Sequence, residues 1–167
     1  MEIRPWQRGD NMLAIAAERY MSTTSLSHRF LAGTGGHLPA AYLRHIAAGP
    51  RSTWDAQVAV GPGHLLGWAE FGRLPGQPEV ADLAVIVADP WQRRGIATAL
   101  IQAMLPRCAE AGVCVLHADL LPTNRAASGL LFSLFGDALT GSYADGVVRF
   151  ETPLRHALPA VSALVSC

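Results

Sequence analysis

Lysine is missing from this chain: its 13 basic side chains are all Arg, set against 13 Asp and Glu for a formal net charge of zero. Without lysine there is no Schiff-base chemistry and no Walker-type phosphate loop. Without bulk charge, neither a polyanion nor a membrane surface is attracted by the overall field. No apolar run reaches membrane-spanning length, and the first residues lack a basic-then-apolar leader pattern. No nucleic-acid or membrane partner is therefore expected. Cysteine is scarce as well. Cys108, Cys114 and Cys167 are odd in number and lack metal-ligand spacing, which suits a reducing, cytoplasmic setting. The six histidines show no paired metal spacing, His117-Ala118-Asp119 reads as strand-end structure, and no metal is expected. A G-x-S-x-G elbow for a hydrolase is absent too.

The stretch from Val85 to Thr98 organises the rest. Val85-Ile86-Val87 is a β-branched run with the composition of a buried strand, and Asp89-Pro90 ends it. Gly95 opens a helical pattern with Ile96, Leu100, Met104 and Leu105 at helix spacing. A strand, a tight arginine-bearing turn and a helix leave the first helical N–H groups unpaired and aimed at the turn, where an anion can sit. Gly95 and Ala97 allow a ligand close to the backbone, while Gln92, Arg93 and Arg94 add donors and charge. Three or four charge-assisted bonds of roughly 1.5–3 kcal/mol each would hold a diphosphate firmly.

Around this centre the chain reads as one unit. Ile3 to Trp6 is a short first strand, and Gly9-Asp10 precedes a helix with Met12, Leu13, Ala16, Ala17 and Tyr20 as its apolar stripe. The hydroxyl-rich segment from Met21 to Phe30 reads as a loop or broken helix. Gly33-Thr34-Gly35-Gly36 is a flexible turn that fails as a dinucleotide fingerprint. Pro39 starts a helix with Tyr42, Leu43 and Ile46 inward, ending at Gly49-Pro50. Gln57 to Val60 and Leu65 to Phe71 form an antiparallel hairpin, and a Pro/Gly loop from Leu74 to Pro78 leads to a central strand from Val80 to Ala88. Val113 to Ala118 is a further buried strand, Asn124 to Phe135 a helix, and Leu139 to Tyr143 with Val147 to Thr152 a hairpin around Asp145-Gly146. The expected class is α/β (α+β): a single mixed, mostly antiparallel sheet of about six to seven strands with helices on both faces. Residues 1–155 form the domain. The apolar tail 156–167 packs either on it or on a second chain as a homodimer.

Gln92-Arg93-Arg94-Gly95-Ile96-Ala97 resembles the Q/R-x-x-G-x-G/A pyrophosphate loop of the GNAT superfamily of N-acetyltransferases, and the element order matches that fold to about residue 155. The resemblance implies an acetyl-CoA site on Val85, Ile86, Val87, Gln92, Arg93, Arg94, Gly95, Ile96, Ala97 and Thr98. Asn124, opening the next helix, would touch the pantetheine arm while also serving as an N-cap. Ser22 to Phe30 looks like the S-x-x-S-L-Y-x-R-F signature of bacterial protein-lysine acetyltransferases, with Ser27 where those carry Tyr. Ala81-Asp82-Leu83-Ala84 matches their A-E-x-A pattern with Asp for Glu.

The implied chemistry is attack of a neutral amine on an acyl thioester. An amine with a pKa near 10 needs a base at neutral pH, and a positioned carboxylate contributes about 10²–10⁴-fold. Asp82 is the candidate, sharing a strand face with Ala84 and Ile86. Glu70 and Glu79 are the other carboxylates in range. A backbone N–H near Val85 or Val87 would hold the acyl oxygen, as the resemblance implies. Relatives protonate the thiolate with a Tyr whose place is taken here by Leu131; Tyr143 is expected to bury its ring and Trp91 to be half-buried. The expected activity is acetyl transfer from acetyl-CoA to a primary amine, protein lysine or small molecule. An acyl-CoA-sensing module and an interaction domain of the same fold are the alternatives.

Overall fold

The computed structural model describes residues 1–157. In chain order these are β1 (Glu2–Pro5), α1 (Asp10–Ala17), α2 (Thr23–Phe30), α3 (Ala40–Ala47), β2 (Trp54–Gly61), β3 (His64–Leu74), β4 (Gln77–Val87), α4 (Ile96–Glu110), β5 (Val115–Leu120), α5 (Arg125–Phe135), β6 (Thr140–Ala144), β7 (Val147–Pro153) and α6 (Leu154–Ala157). The strands form one seven-stranded sheet in the order β1-β2-β3-β4-β5-β7-β6. Among the described residues only β4 and β5 run parallel; every other pair is antiparallel. That parallel pair needs a crossover, which α4 supplies.

Helices cover both faces. On one, the Trp68 indole of β3 donates to the Tyr42 hydroxyl of α3 at 2.7 Å. On the other, Asp55 of β2 meets Arg107 of α4, Arg107 Nε donating at 2.6 Å. Trp54, Trp68, Phe71 and Met104 are among the largest wholly buried side chains, placing the core on both sides of β2 and β3.

The sheet is split in the middle. β4 and β5 pair only at Val80–Val115, Ala81–Leu116 and Asp82–His117. From Leu83 onward β4 continues along β3 alone, as far as the Gly67–Val87 pair. Gly67 permits that last step, because a Cβ there would lie 2.5 Å from the Ile86 carbonyl oxygen.

Several expectations are corrected. The segment from Met21 to Phe30 contains a helix, α2, capped by the Ser22 hydroxyl accepting from the Ser25 amide at 3.2 Å. In α1 the buried residues are Asp10, Ala14 and Ala17, and Met12 is exposed. Buried Asp10 turns the helix, since Arg4 of β1 grips it at 2.7 and 2.8 Å. The loop before the central strand is only Pro75-Gly76, so β3 and β4 form a hairpin. Tyr143 is exposed, at 69%. The tail expected from residue 156 lies outside the described residues, except for His156 and Ala157 in α6.

Candidate active site

At the end of β4 the Ala88 amide donates to Leu66 of β3 at 2.9 Å. Strand alternation then turns the Val87 and Val85 amides away from β3, toward the side β5 has left. The carbonyl of Val87 points the same way, where Gln92 Nε2 donates to it at 3.0 Å.

After a 3₁₀ turn at Asp89–Trp91, Arg93 (φ 59°) and Gly95 (φ 77°) take left-handed conformations and swing the chain into α4. No side chain caps this helix, and its first amide with a carbonyl partner is Ala99, donating to Gly95 at 3.0 Å. A Cβ on Gly95 would meet nothing within 4 Å, so the space beside that glycine is open. A helix N-terminus of this kind receives anions.

The amides open onto a cleft of about 640 Å³ between the separated halves of β4 and β5. The structure brings Val85, Ile86, Val87, Gln92, Arg93, Gly95, Ile96, Ala97, Thr98 and Asn124 together along it. Arg94 is exposed and does not line it. Gln92 lines the cleft but is not a free donor, because its amide nitrogen also reaches Ser25 Oγ and Asp89 Oδ1, both at 3.1 Å. Asn124 caps α5 by accepting from the Ala127 amide at 3.1 Å. Leu131 is buried in the cleft wall. Trp91 is half-buried, edge-on to Tyr20 and tilted over His64.

Asp82 belongs to a second cavity of about 510 Å³, walled by Phe30, Tyr42, His45, Trp54 and Glu70. Arg29 and Ala84 line both cavities, so the two spaces meet there. Asp82 is half exposed. Burial and the neighbouring Asp119 push its carboxyl up, Arg149 and His117 pull it down, and the balance lies above the ordinary value. Glu70 is different: it is buried, ion-paired to Arg29, and accepts from the Tyr42 hydroxyl at 2.7 Å. Burial and the Glu70 charge push the Tyr42 phenol well above its usual range, so it stays a neutral donor. Tyr42 reads as helix core in the sequence, and only the fold shows that it joins Arg29 and Glu70.

The comparisons fit this geometry. Residues 17–136 match the model of the "Acetyltransferase (GNAT) family". The chain belongs to that family. No curated protein matches it by sequence. Among solved structures it is similar to the GNAT domain of S. lividans PAT, at 24% identity, 90% and 89% coverage of the two chains and a TM-score of 0.80. It is also similar to yncA from Salmonella typhimurium, solved with its cofactor acetyl-CoA (17% identity, 92% and 93% coverage, TM-score 0.72). A third likeness is to the ribosomal-protein-S18-alanine N-acetyltransferase from Escherichia coli (17%, 92% and 93%, 0.66). As a GNAT acetyltransferase the chain is an acyltransferase, and acetyl-CoA is its co-substrate. The uncapped amides from Gly95 onward and the open space over that glycine fit a diphosphate. Among the described residues no group of three His, Cys, Asp or Glu is placed to hold a metal ion, and no helix is long and apolar enough to cross a membrane.

Proposed function

We propose that this chain moves an acetyl group from acetyl-CoA to a primary amine by direct attack on the thioester, with protein lysine favoured over a small-molecule amine. The observation carrying this reading is the meeting of two cavities at Ala84 and Arg29, one rich in unpaired amides and the other holding a half-exposed carboxylate. Acetyl-CoA supplies an acyl group on a good leaving group. The amides around Gly95, with Arg93 and the helix positions Ile96, Ala97 and Thr98, bind its diphosphate. Gln92 buttresses that loop, and Arg94 acts through its charge alone. Val85, Ile86 and Val87 lie along the pantetheine arm, with Asn124 across from them. The amide of Val85 or Val87 holds the acyl oxygen as charge develops.

Asp82 is the base. Glu70 cannot compete, because its oxygens are taken by Arg29 and Tyr42. An amine arriving as a cation is attracted by the Phe30, Tyr42 and Trp54 rings beside the Asp82 carboxylate. The lysine preference rests on the Ser22 to Phe30 signature and the likeness to S. lividans PAT. Residues 1–155 are the working unit.

Calorimetry with acetyl-CoA should give binding in the micromolar range that is lost in Gly95→Trp. Thiol release should follow addition of lysine peptides and, more slowly, small amines. Binding without thiol release across an amine panel would leave a sensing module in place of this enzyme.

A further inference from the structure

Three strands line up one polar row across the sheet. Asp82 of β4 stands opposite His117 of β5, and His117 opposite Glu151 of β7. Directly paired residues project from the same face. His117 Nε2 lies 3.0 Å from Glu151 and its Nδ1 lies 4.0 Å from Asp82. The ring is largely buried at 12% exposure, between carboxylates that are 50% and 53% exposed. Nδ1 is a buried atom without a hydrogen-bond partner.

The pattern has a chemical reading. An ionised carboxylate only accepts, so Glu151 selects the tautomer protonated on Nε2. Nδ1 is then left as a buried lone pair on the Asp82 side. Among the described residues Asp82 makes no hydrogen bond of its own, so its side chain is free to rotate across the gap, or one water can bridge it. The other charges acting on the row are Asp119 and Arg149, already joined to each other at 2.6 and 2.7 Å.

We propose that His117 is a positioning residue that relays the proton taken by Asp82 to Glu151 and solvent. The idea rests on Asp82 being the base. The amine nitrogen forms the C–N bond as the C–S bond breaks, and the thiolate leaves with that electron pair. The N–H proton passes to Asp82 and then to Nδ1, while the Nε2 proton leaves through Glu151 to water. The row ends with the charge it began with.

The test follows thiol release by the full chain from acetyl-CoA with Nα-acetyl-lysine amide across a pH series, beside calorimetry with acetyl-CoA. His117→Gln should lower kcat about tenfold or more, shift the acidic limb of the pH profile and keep acetyl-CoA affinity within about twofold. Added imidazole should restore much of the loss in His117→Ala. Carboxyl NMR gives a second readout independent of turnover: the Asp82 midpoint should rise in His117→Gln, because the positive charge of a protonated His117 ring pulls it down. A His117→Gln enzyme with unchanged kcat and pH profile overturns the relay. So does a loss that imidazole cannot restore while the Asp82 midpoint stays still. Full activity in Asp82→Asn removes the base assignment and the relay together, whereas a slow Asp82→Asn beside a fast His117→Gln removes the relay alone.

Discussion

Two carboxylates, Asp82 and Glu70, line the second cavity, and their surroundings set them apart. Asp82 is half in water, and burial together with Asp119 raises its carboxyl above the usual value. Asp82→Asn should lower kcat by about 10²–10³-fold with little change in acetyl-CoA affinity, checked by thiol release and calorimetry. A carboxyl raised in the folded state binds its proton more tightly there than in the unfolded chain. Its contribution to stability is therefore present at low pH and lost as pH rises through the folded value. Two consequences follow: activity rises with pH through the same step, and Asp82→Asn melts higher than the parent at neutral pH. Glu70 behaves oppositely under mutation. Glu70→Ala leaves the largely enclosed Arg29 guanidinium uncompensated, and urea unfolding should show a loss of about 3 kcal/mol. Asp10 adds a pH effect of its own. Burial pushes it up, but the Arg4 hydrogen bonds, the Gln7 amide and the Arg4 charge outweigh this and hold it below the usual value. Its contribution is present above the unfolded pKa and lost as pH falls through the folded one.

Between elements, the decisive joint is that of α2 with the loop proposed to bind the diphosphate. Asp89 accepts from the Ser25 hydroxyl at 2.7 Å and from the Ser22 amide at 3.2 Å, and Gln92 reaches Ser25 at 3.1 Å. Helix α2 is therefore tied to the loop between β4 and α4. Asp89→Ala should cost about 1–2 kcal/mol and speed hydrogen exchange over residues 22–30, with acetyl-CoA slowing that exchange in the parent but not in the variant. This joint also explains a misreading. Of the eight residues after Ser22 only Leu26 and Phe30 are apolar, too few to set a clear periodicity, and the stretch suggests a loop or broken helix. They fold because Ser22 caps them and Asp89, far away in sequence, fastens them. By contrast the elements from Val85 to Thr98 were legible, because a β-branched run, a Pro and a Gly each act locally. Gly67 was not. Its need arises only from β4 lying against it, and Gly67→Ala should cost about 1–3 kcal/mol by chemical denaturation.

At the scale of the whole molecule, the seven-stranded mixed sheet with helices on both faces follows the order read along the chain. What the order could not supply was register. The row Asp82–His117–Glu151 joins residues from three strands, and no local pattern announces it. The absence of lysine also has a measurable outcome: incubation with acetyl-CoA should leave the intact mass unchanged, apart from at most one acetyl on the terminal amine. The divergence of β4 and β5 beyond Asp82 reaches furthest. On the proposed reading, main-chain groups that two neighbouring strands would normally exchange are left for the pantetheine arm of acetyl-CoA, a temporary eighth ribbon. A ligand at a hundredfold its dissociation constant adds about 2.7 kcal/mol. The enzyme should thus resist added protease when saturated with acetyl-CoA and be digested faster without it, which limited proteolysis measures.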